Sequence, residues 1–478
     1  MEEKDILKKW EEKNKYFKGY VHFDCKKNSF QKGIKEYITD EKNIVKHSFY
    51  PFISTEIKFK KYRKKVKDIK IRKIKYSAHM DRLIFSYYSH LLNYYYNSYA
   101  IKNKINESII AYRDNFYGKS NINFANDVFK YMLEVKTYFV MIGDFSNFFE
   151  NLDHNYLKDK ICKVLTEKKL KDDWYVIFKN ITNYSYCELE NILKIKNITR
   201  KELMEKDRIF TPKEFRKYRK NGELKIKINE NINKKLGILK GIPQGSAISA
   251  VLANVYMIEF DRDIIEYLKK YNGRYYRYSD DFIIIVPLEN LDIQKIKNEM
   301  QKKIEELVKE TKLDLKKEKT KTFIYNGEKL QGSENIINYL GFSFDGENIY
   351  LRDKTLTKFY HRMYKKIKTI NKNKGITQKG NIISKKILYK KYSIKGVYIK
   401  NKNIFRKEEI KKMGNFLSYV IRAEKIFGKK YNKNIKHIRK VNMKKIKGKL
   451  EKFKIIQKKG KKIFVYDRKN NRLLKKYE

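Results

Sequence analysis

Two adjacent aspartates, Asp280 and Asp281, lie between two short stretches rich in aromatic and β-branched residues. The flanking segments, 273–276 and 283–287, have the composition of β-strands, so the aspartates fall in the tight turn of a hairpin. Carboxylates this close repel each other and resist burial. The pattern is typical of either a solvated turn or a site for a divalent cation such as Mg²⁺, which prefers hard oxygen ligands.

A third aspartate, Asp144, follows an apolar stretch, 137–143, that has the character of a buried strand. An acid at the end of a core strand can lie beside the acids of a hairpin. Two Mg²⁺ ions roughly 3.5–4 Å apart would then hold the attacking and leaving oxygens of a phosphoryl transfer. Such a reaction depends on positioning and charge neutralisation more than on covalent chemistry. We therefore interpret the three aspartates as a two-metal site.

Five short motifs follow one another in an order that resembles the reverse transcriptases. They are Asp144 with Phe148-Phe149, Gly241-Ile242-Pro243-Gln244-Gly245, Tyr278-Ser279-Asp280-Asp281, Leu315-Lys316-Lys317-Glu318-Lys319-Thr320-Lys321, and Leu340-Gly341-Phe342. Their order and spacing resemble motifs A to E of the polymerase palm, over about residues 135–345. Any one of these motifs is weak evidence, whereas five in order are highly specific.

The resemblance implies an α+β fold, the right-hand polymerase, with fingers, a palm of antiparallel sheet and helices, and a thumb. We divide the chain into an N-terminal extension (1–57), fingers (58–135), a palm (136–345) and a basic, mainly helical thumb and C-terminal region (346–478). A helical insertion, 155–240, separates the first two palm motifs. Its charged second half, around residues 200–235, is either a peripheral segment that touches nucleic acid or a loose surface excursion.

The resemblance also implies a catalytic role for four side chains and one carbonyl group. Asp144, Asp280, Asp281 and the backbone carbonyl of Phe145 would hold two Mg²⁺ ions, for which Mn²⁺ can substitute. Lys319 is expected to be the general acid that protonates the pyrophosphate leaving group. The alternative for Lys319, in so lysine-rich a chain, is an ordinary solvated cation.

Five residues are expected to bind the incoming nucleotide: Arg72, Lys119, Phe149, Gln244 and Gly245. Arg72 matches the basic residue of the fingers in this family, and a solvated strand face is its alternative interpretation. Phe149 stands where an aromatic ring collides with a 2′-hydroxyl group. The resemblance therefore implies that the chain uses deoxynucleotides.

Four residues are expected to bind nucleic acid: Tyr278, and Leu340, Gly341 and Phe342 in a hairpin that would hold the primer. A net charge of +57 agrees with a polyanionic partner, although a lysine-rich composition accounts for part of it. The chain also contains 39 tyrosines and 28 phenylalanines, which suit stacking on bases as well as core packing.

Segments 77–81 and 118–122 resemble the bacterial defence-associated and abortive-infection reverse transcriptases. This implies RNA-directed DNA synthesis from dNTPs in antiphage defence, with a cognate noncoding RNA as template and DNA as product. Template-independent or protein-primed synthesis stays open, and so does a retron or group II intron-like enzyme. The opposing hypothesis, from another class, is a nucleic-acid-binding protein with an inactive palm, against which the intact motif residues argue.

Cysteine usage and hydropathy bear on where the chain works. Three widely spaced cysteines, Cys25, Cys162 and Cys187, show no metal-ligand spacing, which fits a reducing cytoplasm. No apolar run reaches about 18 residues, and no apolar signal region begins the sequence, so we expect no membrane partner. We expect a cytoplasmic protein, and a homo-oligomer remains an open alternative.

Overall fold

The computed structural model describes residues 3–63, 66–289, 292–376, 382–383, 385–393, 397–400, 410–413, 415–431, 435–450, 453–457, 463–467 and 473–477. The chain folds into two compact units. The first consists of Met1–Tyr117 and Phe139–Thr322, and the second of Gly118–Tyr138 and Phe323–Glu478. These units cut across the four predicted segments, because a stretch of the predicted fingers belongs to the same unit as the C-terminal region.

The described part of the chain mixes helices and strands, as the predicted α+β class requires. Its helices are α1 (Glu3–Asn14), α2 (Ile34–Thr39), α3 (Glu41–Lys46), α4 (His79–Lys102), α5 (Asn121–Val135), α6 (Phe148–Asn151), α7 (His154–Leu165), α8 (Asp172–Thr182), α9 (Leu189–Lys196), α10 (Arg200–Met204), α11 (Pro212–Lys220), α12 (Ser249–Tyr256), α13 (Ile258–Leu268), α14 (Ile293–Glu310), α15 (Asp353–Lys372), α16 (Lys385–Tyr392), α17 (Phe416–Tyr431) and α18 (Ile435–Lys449). Its strands are β1 (Phe52–Arg63), β2 (Val66–Tyr76), β3 (Tyr138–Asp144), β4 (Ser185–Glu188), β5 (Ile226–Ile228), β6 (Ile232–Asn233), β7 (Ile238–Leu239), β8 (Arg274–Tyr278), β9 (Asp281–Pro287), β10 (Lys321–Tyr325), β11 (Leu330–Gly332), β12 (Ile337–Tyr339), β13 (Phe342–Phe344), β14 (Ile349–Leu351), β15 (Val397–Lys400), β16 (Ile410–Met413), β17 (Phe453–Gln457), β18 (Ile463–Asp467) and β19 (Leu473–Tyr477).

One sheet of the first unit has the strand order β2-β1-β4-β5. The alternation of residues around 69–76 predicts a strand pair, and β1 and β2 form a long antiparallel hairpin, in which β1 already begins at Phe52. Strand β4 runs parallel to β1, with Phe52 opposite Tyr186. Strands β4 and β5 lie inside the predicted helical insertion, 155–240. The insertion therefore contributes to this sheet as well as supplying helices.

The second half of that insertion is packed against the N-terminal segment, so the alternative of a loose excursion is wrong. Phe210 stacks on Phe23 with ring centroids 5.9 Å apart. A shared buried cluster explains the packing; it contains Val21, Phe23, Ile53, Cys187, Leu189, Ile192, Leu203, Ile209, Phe210 and Leu224. Thr211 caps α11, as its Thr-Pro signal predicts, through a reciprocal hydrogen-bonded capping box with Glu214.

Three strands of the first unit are adjacent in the order β3-β9-β8. Strands β8 and β9 form the predicted hairpin, with Tyr278 opposite Asp281. A Cβ atom added at Gly143 of β3 would lie 2.3 Å from the ring of Phe282, so only glycine lets these strands approach this closely. This close approach brings the end of β3 to the turn of the hairpin.

Two helical stretches of this unit differ in how well their sequence describes them. The apolar residues at helical spacing in 293–311 predict an amphipathic helix, and this is α14, with Ile296, Met300 and Ile304 on its buried face. The stretch after the Gly-Ile-Pro loop, through about Leu268, has the pattern of one long helix, but this expectation is wrong, because the chain leaves helical geometry at Met257 and continues as a second helix, α13. The backbone of Met257 has φ −93° and ψ 6°.

The second unit combines helices with small antiparallel sheets. The predicted hairpin around Leu340 is confirmed by β12 and β13, and β14 completes a three-stranded sheet. Phe129 of α5 stacks on Phe344 of β13, with ring centroids 4.9 Å apart. The region 346–478 is helical over α15–α18, as predicted, but β17, β18 and β19 form a further sheet. The lysines that flank these short strands hid them from sequence inspection.

Within the described ranges, none of the helices combines the length and the apolar composition that crossing a bilayer requires.

Candidate active site

The structure brings the two predicted acidic stretches together. The backbone N–H of Phe145, directly after β3, donates a hydrogen bond of 3.0 Å to the carbonyl oxygen of Asp280. The carboxyl groups of Asp144 and Asp281 are close enough to interact directly. Asp144 is buried and Asp280 is half-buried, and Asp281 is exposed as a whole residue although its carboxyl group is desolvated by its neighbours. The three aspartates therefore line one site, in which Asp281 makes the direct contact with Asp144.

Two lysines hold the carboxylate of Asp144. The segment around Leu315 pairs with the end of β3, so that the backbone N–H of Lys316 donates to the carbonyl oxygen of Asp144 over 2.9 Å. The Lys316 Nζ lies 2.5 Å from Asp144 Oδ1 and 3.0 Å from the carbonyl oxygen of Phe145. Lys319 Nζ donates to the other carboxylate oxygen, Asp144 Oδ2. Both oxygens of this carboxylate therefore have a cationic partner.

Sequence inspection chose Lys319 from this lysine cluster and did not single out Lys316. Lys317–Lys319 forms one turn of 3₁₀ helix. With three residues per turn, a 3₁₀ geometry places side chains three positions apart on the same side. The three-residue separation of Lys316 and Lys319 in the sequence was thus the signal that could have identified both lysines.

The acids and lysines shift one another's pKa values. Burial opposes the charge of Asp144, but hydrogen bonds from Lys316 and Lys319 outweigh it and lower the pKa of that carboxyl group. Desolvation, followed by the charges of Asp280 and Asp144, raises the pKa of Asp281 to about 7. Burial would lower the pKa of Lys319, but the contact with Asp144 raises it. The site therefore concentrates negative charge that a cation must balance.

The donor set fits a divalent cation. Among the described residues, no group of three or more His, Cys, Asp and Glu side chains is arranged as a ready metal site. The ammonium group of Lys316 nevertheless contacts two of the predicted metal-binding groups, the Asp144 carboxylate and the Phe145 carbonyl. These are hard oxygen donors of the kind that Mg²⁺ binds. Asp144, Asp280, Asp281 and Phe145 are thus the groups that would hold a metal ion here.

The loop Gly241–Gly245 connects three predicted nucleotide-binding residues to the β1–β2 hairpin. The N–H of Ile242 donates to the carbonyl of Phe149 over 2.8 Å, and the N–H of Lys75 donates to the carbonyl of Gln244 over 2.9 Å. A Cβ atom at Gly245 would lie 2.7 Å from the Lys75 carbonyl oxygen, and φ there is +121°. Glycine thus permits the loop to rest directly on β2.

The remaining predicted binding residues lie in different surroundings. Arg72 is an exposed residue of β2, and its guanidinium group lies 5.5 Å from the ring centroid of Phe59. Tyr278 ends β8, directly before the turn that carries Asp280 and Asp281. The other four belong to the second unit and are not part of the carboxylate cluster: Lys119, Leu340, Gly341 and Phe342. Of these, Lys119 forms an ion pair with Asp127, and the carbonyl of Leu340 accepts a hydrogen bond from Asn121.

A buried ion pair beneath the turn escaped sequence inspection. Arg277 and Asp261 both have fully buried side chains, and their closest atoms, Arg277 Nη2 and Asp261 Oδ2, are 2.6 Å apart. Arg277 Nη1 also donates to the carbonyl oxygen of Ser279 over 3.0 Å. Burial would lower the pKa of Arg277, but the carboxylate of Asp261 raises it. The signal available was the period of two, which places Arg277 on the same strand face as the buried Tyr275.

Strand-borne carboxylates held by lysines, beside a glycine-containing loop, indicate a nucleotidyltransferase. Residues 63–344 match the reverse transcriptase (RNA-dependent DNA polymerase) family. This match covers more than half of the chain, and the chain therefore belongs to the reverse transcriptase family, whose members are RNA-directed DNA polymerases. No curated protein matches the sequence of the chain.

Several solved structures are similar in fold to this chain. Telomerase from Candida tropicalis, truncated from its C-terminal domain, has a TM-score of 0.39 and 12% identity over 65% of this chain and 57% of that one. The same enzyme with a TWJ fragment of telomeric RNA has a TM-score of 0.36 and 15% identity over 63% and 44%. Telomerase from Candida albicans has a TM-score of 0.35 and 10% identity over 73% and 49%. The chain thus spans about half the length of these proteins.

Proposed function

We propose that the chain copies RNA into DNA by metal-dependent phosphoryl transfer from dNTPs at Asp144, Asp280 and Asp281. The hydrogen bond from the Phe145 N–H to the Asp280 carbonyl, which holds Asp144 beside the Asp280–Asp281 turn in a reverse transcriptase chain, is the observation that carries this proposal. Two bound Mg²⁺ ions would supply charge neutralisation for the triphosphate, and Mn²⁺ can replace them. The residues of the chain would orient the primer end and the α-phosphate with respect to each other.

Lys319 and Lys316 suit the departure of pyrophosphate. The ammonium group of Lys319 is protonated at neutral pH and lies on the Asp144 carboxylate, so it can bring a proton to the site. Lys316 contacts the same carboxylate from the other side. If Asp144 held a metal ion, the ammonium groups of Lys316 and Lys319 would be available to the leaving group. We assign the general-acid role to Lys319 and a charge-balancing role to Lys316.

Phe149 is proposed to select deoxynucleotides. It follows the catalytic strand by five residues, is half-buried, and accepts a hydrogen bond from Ile242 of the glycine loop through its carbonyl group. Replacing Phe149 with Ala removes the ring that would collide with a 2′-hydroxyl group. We expect ribonucleotide incorporation to rise roughly 10-fold or more relative to deoxynucleotide incorporation, as for the loss of a steric contact of about 1.4 kcal/mol. Single-nucleotide extension with rNTP and dNTP substrates measures this ratio.

Phe178→Ala is the matched control for Phe149→Ala, because Phe178 lies on α8 and is not part of the proposed nucleotide site. The control should leave the ratio of ribonucleotide to deoxynucleotide incorporation as in the wild type. Equal selectivity of the Phe149→Ala and wild-type proteins would remove the assignment of Phe149.

We further propose that this synthesis serves cytoplasmic antiphage defence, on a cognate noncoding RNA template. Segments 77–81 and 118–122 support this through their resemblance to defence-associated members, and the net charge of +57 supports an RNA partner. In the first of these segments, Asp81 accepts a hydrogen bond from the N–H of Tyr50 and lies 2.8 Å from His47 Nε2. These contacts give that segment a role in holding the N-terminal region.

Sequencing the nucleic acid that copurifies with the full chain tests the template proposal. The expected result is one defined RNA together with complementary DNA, and infection assays should show protection that Asp280→Asn abolishes. DNA without a complementary RNA would favour template-independent synthesis, and DNA covalently attached to the protein would favour protein priming. Branched RNA–DNA would favour the retron-like alternative. Random cellular RNA without protection would contradict the defence proposal.

A further inference from the structure

The turn that carries Asp280 and Asp281 begins with a residue in an unfavourable backbone conformation. Ser279 has φ +62°, in the left-handed region that residues other than glycine, asparagine and aspartate rarely adopt. Such a conformation persists only where surrounding contacts hold it. Because Ser279 directly precedes Asp280, whatever holds its backbone also sets the direction of both aspartates.

Ser279 is held from inside the fold by Arg277. The Nη1 atom of Arg277 donates to the Ser279 carbonyl over 3.0 Å, and its Nε and Nη2 atoms bind both carboxylate oxygens of Asp261 at 2.8 and 2.6 Å. Tyr275 adds a third contact, since its hydroxyl donates to Asp261 Oδ1 over 2.8 Å. Asp261 therefore prevents Arg277 from moving away from the turn.

Ser279 is held from outside by Tyr112. The Tyr112 hydroxyl donates to Ser279 Oγ over 3.1 Å, and Tyr112 has the second unusual backbone conformation at this site, with φ +60°. Its side chain points toward the turn although the residue is 44% exposed. The hydroxyl of a tyrosine this exposed to solvent usually binds water. The hydrogen bond to Ser279 therefore indicates a specific role for this side chain.

The segment that carries Tyr112 is itself attached to the hairpin. The N–H of Arg277 donates to the Ser108 carbonyl over 2.8 Å, and the N–H of Ile110 donates to the Arg277 carbonyl over 3.1 Å. Asn254 of α12 donates from Nδ2 to the Ala111 carbonyl over 2.8 Å. Tyr112 therefore approaches the turn from a segment that cannot move independently of Arg277.

We propose that Tyr112, through its hydrogen bond to Ser279, is a positioning residue that directs the Asp280–Asp281 turn toward Asp144. This rests on the proposed function of the aspartates as the metal-binding and catalytic site. Tyr112 acts on the reaction only through Ser279, and Arg277 acts on the same residue from the opposite side. Without the Tyr112 hydroxyl, the turn relaxes, and the carboxylates of Asp280 and Asp281 are held less firmly toward Asp144.

Tyr112→Phe and Ser279→Ala each remove one end of this hydrogen bond while keeping almost all of the side-chain volume. A net hydrogen bond corresponds to a roughly 3- to 10-fold change in an equilibrium or rate constant. We expect each variant to lower kcat and to weaken Mn²⁺ binding by roughly that factor, with the KM for dNTP unchanged. The double variant should be no worse than either single variant, because both remove the same contact.

Electron paramagnetic resonance of free Mn²⁺ in titrations of the full chain measures binding without reference to activity. Tyr117→Phe is the matched control, since the Tyr117 hydroxyl accepts a hydrogen bond from Lys9 instead of binding the turn. It should behave as the wild type in both assays, and thermal melting should show that all variants fold. Unchanged Mn²⁺ affinity and kcat in Tyr112→Phe, or additive losses in the double variant, would overturn the positioning role. An inactive wild-type chain would instead contradict the proposed function.

Discussion

Asp280→Asn is expected to abolish DNA synthesis, by roughly 10³-fold or more, while leaving RNA binding nearly intact. The substitution removes one carboxylate charge from the site at which the phosphoryl group is transferred, and the loss of one preorganised electrostatic contact alone costs about 10²–10³-fold. RNA binding depends on many basic side chains in a chain with a net charge of +57, which this change scarcely alters. Primer extension with Mg²⁺ and dNTPs on an RNA template measures the first effect, and fluorescence anisotropy of labelled RNA measures the second.

Asp263→Asn is the charge-matched control for this experiment. Asp263 lies on α13 and forms an ion pair with Arg262 at the surface. The Asp263→Asn substitution changes the net charge by the same amount as Asp280→Asn, but the variant should synthesise DNA at the wild-type rate. A polymerising Asp280→Asn chain would refute the two-metal site, and a loss of RNA binding in this variant alone would assign Asp280 to binding.

Asp261→Ala is expected to lower the free energy of unfolding by roughly 3–5 kcal/mol. Both side chains of the Arg277–Asp261 pair are fully buried, so removing the carboxylate leaves an uncompensated charge in the interior. The hydroxyl of Tyr275 loses its acceptor at the same time. Chemical denaturation of the full chain, followed by fluorescence, should show the transition at a clearly lower denaturant concentration.

The double variant Asp261→Leu with Arg277→Met distinguishes pairing from packing. The double variant buries no charge, so it has neither the ion pair nor the cost of desolvating it. Much of the free energy of unfolding that Asp261→Ala loses should therefore return. Asp263→Ala on the same helix serves as the control and should cost about 0–1 kcal/mol, since its partner Arg262 is exposed to solvent. A stable Asp261→Ala chain would show that Arg277 finds another partner.

Elements with a strong local period were predictable from the sequence. The β8–β9 hairpin follows from two aromatic and β-branched runs around a polar pair, and α14 follows from apolar residues at helical spacing. The β1–β2 hairpin likewise follows from its alternation. Where the local signal was weak, prediction failed: β4 and β5 are short strands within a helix-rich stretch, and they exist because β1 offers β4 a pairing edge.

The site was predictable only to the level of residue types and their order. The order of the motifs identified Asp144, Asp280, Asp281, Gln244 and Phe149 as candidates. Which lysines of a lysine-rich chain reach Asp144 depends on the pairing of Leu315 with the end of β3, a contact between residues far apart in the sequence. The same holds for the choice of Arg277 as the buried cation among 113 lysines and arginines.

The sequence by itself determined the family, the strand that ends at Asp144, and the hairpin that carries the other two aspartates. These features depend on local composition and on the order of the motifs, and both can be read directly from the amino-acid sequence. Only the tertiary structure decided that Asp281 makes the direct contact with Asp144, that Lys316 joins Lys319 on that carboxylate, and that Tyr112 and Arg277 hold Ser279 from opposite sides. Each of these contacts joins residues brought together by sheet pairing and core packing, and their energies depend on burial, which no local pattern records.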